Sequence, residues 1–216
     1  MLDKKIILLC VIAFFSLSHL AFAKTVYVID QHGQPLADAV IEVPVNEPLV
    51  ADSSTPLIMD QADKAFAPIV LLAPKNSLVS FPNSDDIRHH VYSFSAAKSF
   101  ELKLYAARPK QPIKFEKSGV VVLGCNIHDS MVGYIYVHEN AYIAKSDSQG
   151  KIEMDNLAIS AESFFLWHPN AVKGVEHREQ LPISLFNSHD EKVTITLPIN
   201  APVRRNTFGE LSKHAH

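Results

Sequence analysis

Gly119-Val-Val-Val-Leu-Gly-Cys125-Asn-Ile-His128-Asp-Ser-Met131-Val-Gly-Tyr-Ile-Tyr-Val137 is the stretch whose reading decides the fold. It sets a thiol, an imidazole and a thioether at three-residue steps, between two runs of β-branched and aromatic residues. Such runs form strands, so the stretch predicts one strand delivering Cys125, a tight loop carrying His128 and Met131, and a second strand leaving. Thiolate sulfur with imidazole nitrogen suits copper. One further histidine would complete a trigonal set with a weak axial thioether.

The N-terminus addresses the compartment. Lys4 and Lys5 precede the apolar run Ile6 to Leu17, and Ala21-Phe22-Ala23 has the small-x-small form of a cleavage site. Residues 1–23 therefore read as an export signal cut after Ala23, and the expected location is the periplasm. The apolar run is too short to span a bilayer, and no later segment is long enough, so no membrane span is expected. Leu9 is bulky where a lipoprotein signal wants a small residue, which disfavours lipidation at Cys10.

Cleavage at that point leaves Cys125 as the sole thiol. Exported cysteines usually pair, so a lone one points to metal ligation, reactivity or an intermolecular bond. A buried inert cysteine is the plain alternative. The formal charge of −3 argues against nucleic acid or an anionic membrane as the main partner. No nucleophile elbow, phosphate loop or paired carboxylate motif is present, so the chain is not expected to be an enzyme by itself.

Strand signals recur along the chain. Residues 25–43 read as a hairpin about the turn Asp30-Gln-His-Gly33, and 44–64, broken by Pro44, Pro48 and Pro56, as a linker with a short edge strand. From 65 to 138, strands at sandwich spacing are expected at 69–72, 77–81, 90–94, 100–105, 113–115, 120–123 and 134–137. Ala96-Ala-Lys-Ser99 is the one candidate helical turn. Beyond Asn140 a strand, turn and strand over 142–154 precede further strands at 164–167 and 193–197, and residues 201–216 read as a tail. No stretch sustains helical periodicity, so the class is all-β.

The missing imidazole lies in Asp85-Asp-Ile-Arg-His89-His90-Val91-Tyr-Ser-Phe94. Here the chain resembles the cupredoxins of the plastocyanin and amicyanin type, whose first copper histidine sits in a Pro-His-Asn-Val stretch. Aligned on Val91, His89 falls on the ligand, His90 on the asparagine and Arg88 on the proline. Gly119, Cys125, His128 and Met131 match the family's second motif, with amicyanin-like spacing. The resemblance implies a Greek-key β-sandwich over 65–139 holding one type 1 copper on His89, Cys125, His128 and Met131, with Met131 as a core residue beside a three-coordinate or water-ligated copper the alternative. His90 stays open as the alternative to His89, since strand alternation puts the two on opposite faces and only the alignment chooses.

A second resemblance covers the flanks. Asp30-x-x-Gly33-x-Pro35-Leu36-x-x-Ala39-Val40, with Ser146-Asp147-x-x-Gly150, is similar to the carboxypeptidase regulatory-like module, a transthyretin-type, Ig-like sandwich. This implies a sandwich built from 24–64 and 140–200, with the copper-type domain inserted in it. Two sequential domains is the alternative.

The expectation is an exported blue copper protein that carries electrons to or from a redox partner such as a c-type cytochrome or a dehydrogenase. Similar chains carry the label of methylamine-utilisation proteins. The alternatives are a copper-delivery module without redox turnover and a metal-free interaction protein. Trp167 reads as a core anchor, His168 as the start of a loop with a minor metal alternative, and Asp85-Asp86 as a solvated cap. His32, His138, His177 and His189 read as surface residues, and His214 and His216 as solvated.

Overall fold

The computed structural model describes residues 24–45, 55–107, 111–154, 161–186 and 192–201. The expected export signal with Cys10 and its expected cut after Ala23, His189, and the expected tail beyond Ala201 lie outside the described residues.

The chain opens with β1 (Lys24–Ile29) and β2 (Val40–Pro44). Ten strands follow: β3 (Leu57–Ile58), β4 (Asp60–Ala62), β5 (Ala65–Ala67), β6 (Val70–Pro74), β7 (Leu78–Ser80), β8 (His89–Ser95), β9 (Lys98–Tyr105), β10 (Ile113–Lys114), β11 (Gly119–Cys125) and β12 (His128–His138). It closes with β13 (Ala141–Lys145), β14 (Lys151–Met154), β15 (Ser163–Trp167), β16 (Glu179–Pro182) and β17 (Lys192–Thr196), with a 3-10 turn at Ile183–Phe186. The molecule is all-β, as the strand-forming runs predicted.

The first and last strands combine. β1 lies between β14 and β17, and β2 between β13 and β15, with β16 at the edge. Val26 and Val28 of β1 share one buried cluster with Ile41, Val43, Ile152, Phe164, Leu166 and Ile195, drawn from both sheets. The hairpin expected over 25–43 does not form, because β1 and β2 enter different sheets. The turn folds back on β1 alone: Asp30 Oδ1 accepts from the His32 and Gln34 amides, and the Leu36 amide donates to the Val28 carbonyl. Asp38, at φ 62, then redirects the chain. The two motif halves touch. The Ser146 hydroxyl donates to the Leu36 carbonyl at 2.6 Å and accepts from the Ala39 amide at 2.9 Å.

The ten intervening strands form a five-stranded sheet, β6-β12-β11-β8-β9, and a smaller one, β10-β7-β3, with the β4–β5 hairpin beside β12. Residues 57–62, read from sequence as linker, pair with β7 and β5 and so belong with these ten strands. Strand alternation turns Val121, Leu123 and Cys125 of β11 inward, onto Val79, Phe81, Val91 and Phe115. Ala96 and Ala97 make the two-residue turn between β8 and β9, rather than a helical one.

The metal-ligand stretch differs most from its expectation. Only Asn126 and Ile127 separate β11 from β12, and His128 already pairs with Cys125. The ladder then slips: Gly124 faces Val132, so Asp129, Ser130 and Met131 are extra residues on β12. A bulge of this kind re-aims side chains, and Met131 is driven into the core, 1% exposed. The expected loop is strand, bent by this bulge.

The outer face of the large sheet does not meet water throughout. Val120, Tyr136 and Val70 pack on Val40 and Trp167 of the other sandwich, with the Trp167 ring 5.3 Å from Tyr136 and 6.0 Å from Tyr134. Buried Glu42 accepts from the Tyr136 hydroxyl at 2.5 Å and from Arg178 Nη1 at 2.8 Å. Burial, with the Glu42 carboxylate alongside, raises the Tyr136 hydroxyl pKa far above its ordinary value. His138 is buried rather than at the surface, because it closes β12 against Pro74.

Candidate metal centre

β8 and β11 are paired neighbours in the large sheet, and β12 returns directly from β11. His89 is the first residue of β8 and points inward, fully buried, toward Cys125 at the end of β11. The Cys125 Sγ lies 3.7 Å from His89 Nδ1 and 3.9 Å from His128 Nδ1. The His89 and His128 rings are 5.1 Å apart, and one donor atom from each of the three residues falls within a 4.8 Å group. Met131 is buried in the same apolar cluster as Cys125.

The spacing can be tested against what an ion needs. With bonds of about 2.3 Å to sulfur and about 2.0 Å to nitrogen, trigonal angles separate sulfur from nitrogen by roughly 3.7 Å. The two observed separations meet that requirement. Cys125 itself is buried and forms no disulfide among the described residues.

Hydrogen bonding leaves the right atoms facing inward. Asp85 Oδ2 lies 2.6 Å from His89 Nε2, which assigns the ring proton to Nε2 and the lone pair to Nδ1, toward the thiol. A carboxylate behind an imidazole fixes ring orientation and makes the ligand nitrogen more basic. Asp85 is itself held by the β4–β5 turn: the Asp63 amide donates to Oδ1 at 2.7 Å and the Lys64 amide to Oδ2 at 3.0 Å. Both turn residues have positive φ, 54 and 58, which aims two successive amides at one carboxylate. Burial raises the Asp85 pKa, but the His89 bond and these two amides outweigh it and hold the carboxyl below its usual range. His128 is partly exposed, and burial together with His89 and Lys64 lowers its pKa, favouring the neutral ring a metal requires.

His90 points to the opposite face. Its Nδ1 accepts from Asn126 Nδ2 at 2.6 Å, and Glu101 Oε1 lies 3.0 Å from its Nε2 without the angle of a good hydrogen bond. His168 is also committed elsewhere, with Nε2 donating to the Ala37 carbonyl at 3.2 Å and Nδ1 accepting from the Asn170 amide at 3.1 Å. Asp85 is the residue that sequence reading missed: a solvated cap was expected, and the structure shows an orienting acceptor. Its four-residue offset from His89 was visible, but the hairpin that holds it was hidden in the supposed linker.

Fold and donors together define an all-β protein of packed sandwiches with a thiol and two imidazoles converging at one sheet end. No protein-family model matches the chain, and no curated protein does. Among solved structures it is similar to a copper-containing nitrite reductase from Thermus scotoductus SA-01, at 25% identity and a TM-score of 0.37, over 43% of this chain and 25% of that one. It is similar to a purple cupredoxin from Nitrosopumilus maritimus, at 20% identity and a TM-score of 0.34, over 38% of this chain and 99% of that one. It is also similar to amicyanin from Paracoccus versutus, at 15% identity and a TM-score of 0.34, over 45% of this chain and 97% of that one.

Proposed function

We propose that the chain is a type 1 copper protein that carries single electrons in an exported compartment. The observation that carries this reading is the pair of Nδ1 atoms flanking the Cys125 thiol at near-trigonal separations, with His89 locked from behind by Asp85. His89, Cys125 and His128 would hold the ion, with Met131 as the weak axial ligand. Copper bound there supplies a one-electron couple in a donor set tolerable to both oxidation states.

The protein's own residues do the rest. Burial of Cys125 and His89 keeps water from the thiol, and strand pairing of Cys125 with His128 fixes two donors on one short turn. Partly exposed His128, beside half-exposed Ile127, offers the route to a redox protein, such as a c-type cytochrome or a dehydrogenase. We read strands β1–β2 and β13–β17 as a host sandwich, with the copper-type domain inserted between them and an export signal before both.

The test is spectroscopic. Purified protein given Cu(II) is expected to show an intense visible thiolate-to-copper band that is absent in Cys125→Ser and His89→Ala and retained in His90→Ala. A colourless copper adduct insensitive to Cys125→Ser would sink the reading.

A further inference from the structure

The outer face of β8 carries a feature that copper ligation does not use. His90, Tyr92 and Phe94 alternate with the inward His89, Val91 and Ser93, and their rings follow one another at 5.8 and 5.3 Å. Two of the three rings touch the backbone or side chain on either side of Cys125. The His90 ring accepts the Asn126 amide at 2.6 Å, just after the cysteine. The Tyr92 ring lies on Gly124, just before it, so closely that a Cβ there would come 2.7 Å from the ring's Cζ and hydroxyl oxygen. Real Cβ atoms do not approach so near, so only glycine leaves room for this contact.

We propose that His90 and Tyr92 form a two-point clamp that positions Cys125 from the face opposite the metal site. The need for one follows from the local backbone. The β11–β12 ladder slips between Gly124 and Cys125, where β12 bulges by three residues, so Cys125 pairs with His128 across a register break and not within a continuous ladder. On its other side β11 is tied to β8 by the pairing of Gly124 with Tyr92, directly under the ring in question. The clamp adds side-chain contacts to both chain neighbours of Cys125 where the ladder is interrupted. Glu101 Oε1, 3.0 Å from His90 Nε2 though not angled for a good hydrogen bond, sets negative charge on the Nε2 side of the ring, opposite the Nδ1 that accepts from Asn126. His90 and Tyr92 are positioning residues, acting through Gly124 and Asn126, and neither touches the ion.

This inference rests on the proposed copper function only for its spectroscopic consequence, so two readouts are needed. In metal-free protein, Asn126→Ala, His90→Ala and Gly124→Ala should each speed amide hydrogen exchange at 125–128 by about five- to tenfold, as loss of one hydrogen bond's local stabilisation gives. His90→Gln, whose side-chain oxygen can still accept from Asn126, should restore much of the protection. In the Cu(II) form the same three substitutions should change the relative intensities of the thiolate-to-copper bands while one copper per chain is retained. Unchanged exchange in Asn126→Ala and Gly124→Ala overturns the clamp. So does altered exchange with an unaltered spectrum, because the thiol would then not depend on it. If the native protein takes up no copper, the proposed function fails, and the exchange measurements still decide the clamp.

Discussion

Replacing Asp85 with alanine probes the reasoning about the centre most directly. The carboxylate accepts three hydrogen bonds, one from His89 Nε2 and two from the amides of the β4–β5 turn. Their losses are unequal. Asp63 and Lys64 are exposed, so water takes over their amides at little cost. His89 is fully buried, and its Nε2–H would be left without a partner. An orphaned buried donor costs about 1–3 kcal/mol. For a chain of this size that lowers the melting temperature of the metal-free protein by roughly 2–12 °C. An unanchored ring also costs copper affinity, by about 10- to 100-fold for loss of such an orienting partner. Calorimetry of the metal-free protein and competition with a Cu(I) chelator measure the two effects. Asp85→Asn should fall between, since its amide keeps one acceptor but sets two hydrogens against the turn amides. Native copper affinity in Asp85→Ala, with an unchanged visible spectrum, would refute the role given to this carboxylate.

Other expectations follow from single contacts. Trp167→Ala removes the ring that joins the two sandwiches at Tyr134 and Tyr136, and should destabilise by about 3–5 kcal/mol and let the halves unfold separately in calorimetry. Burial lowers the His168 pKa in the folded protein, although the Ala37 carbonyl opposes this. The unfolded chain then takes up the proton first, so stability should fall as pH drops below about 6.5 until the folded-state value is passed, and His168→Gln should flatten that slope in melts from pH 7.5 to 5. Gly133→Ala would set a Cβ 2.7 Å from the Phe66 side chain and should cost about 1–3 kcal/mol in denaturant melts. Electron carriage predicts a reversible couple by voltammetry and rapid exchange with a cytochrome. Loss of copper to a metal-free acceptor without such a couple would favour delivery instead.

Much of this was legible in the chain. The run Val120 to Leu123 reads as a strand that delivers the thiol, and three-residue steps to His128 and Met131 point to the chemistry from residue types alone. Strand periodicity also gave the all-β class and put His89 and His90 on opposite faces. It could not choose between them, because alternation fixes relative and not absolute facing. That choice was made by packing: His89 is the one turned to Cys125, and His90 is held by Asn126.

Local signals failed where partners lie far apart in sequence. The turn chemistry at Asp30–Gly33 was readable, yet β1 and β2 separate into different sheets because their partners arrive about a hundred residues later or more. The supposed linker hid the β4–β5 hairpin, and with it the grip on Asp85. The bulge at Asp129–Met131 has no sequence signature, since it reflects a slip between two strands. By itself the sequence determined the strand class, the candidate donor types and the single thiol among the described residues. The tertiary structure decided which histidine faces the thiol, what holds it there and how the two sandwiches join, because each depends on contacts between residues that only folding brings together.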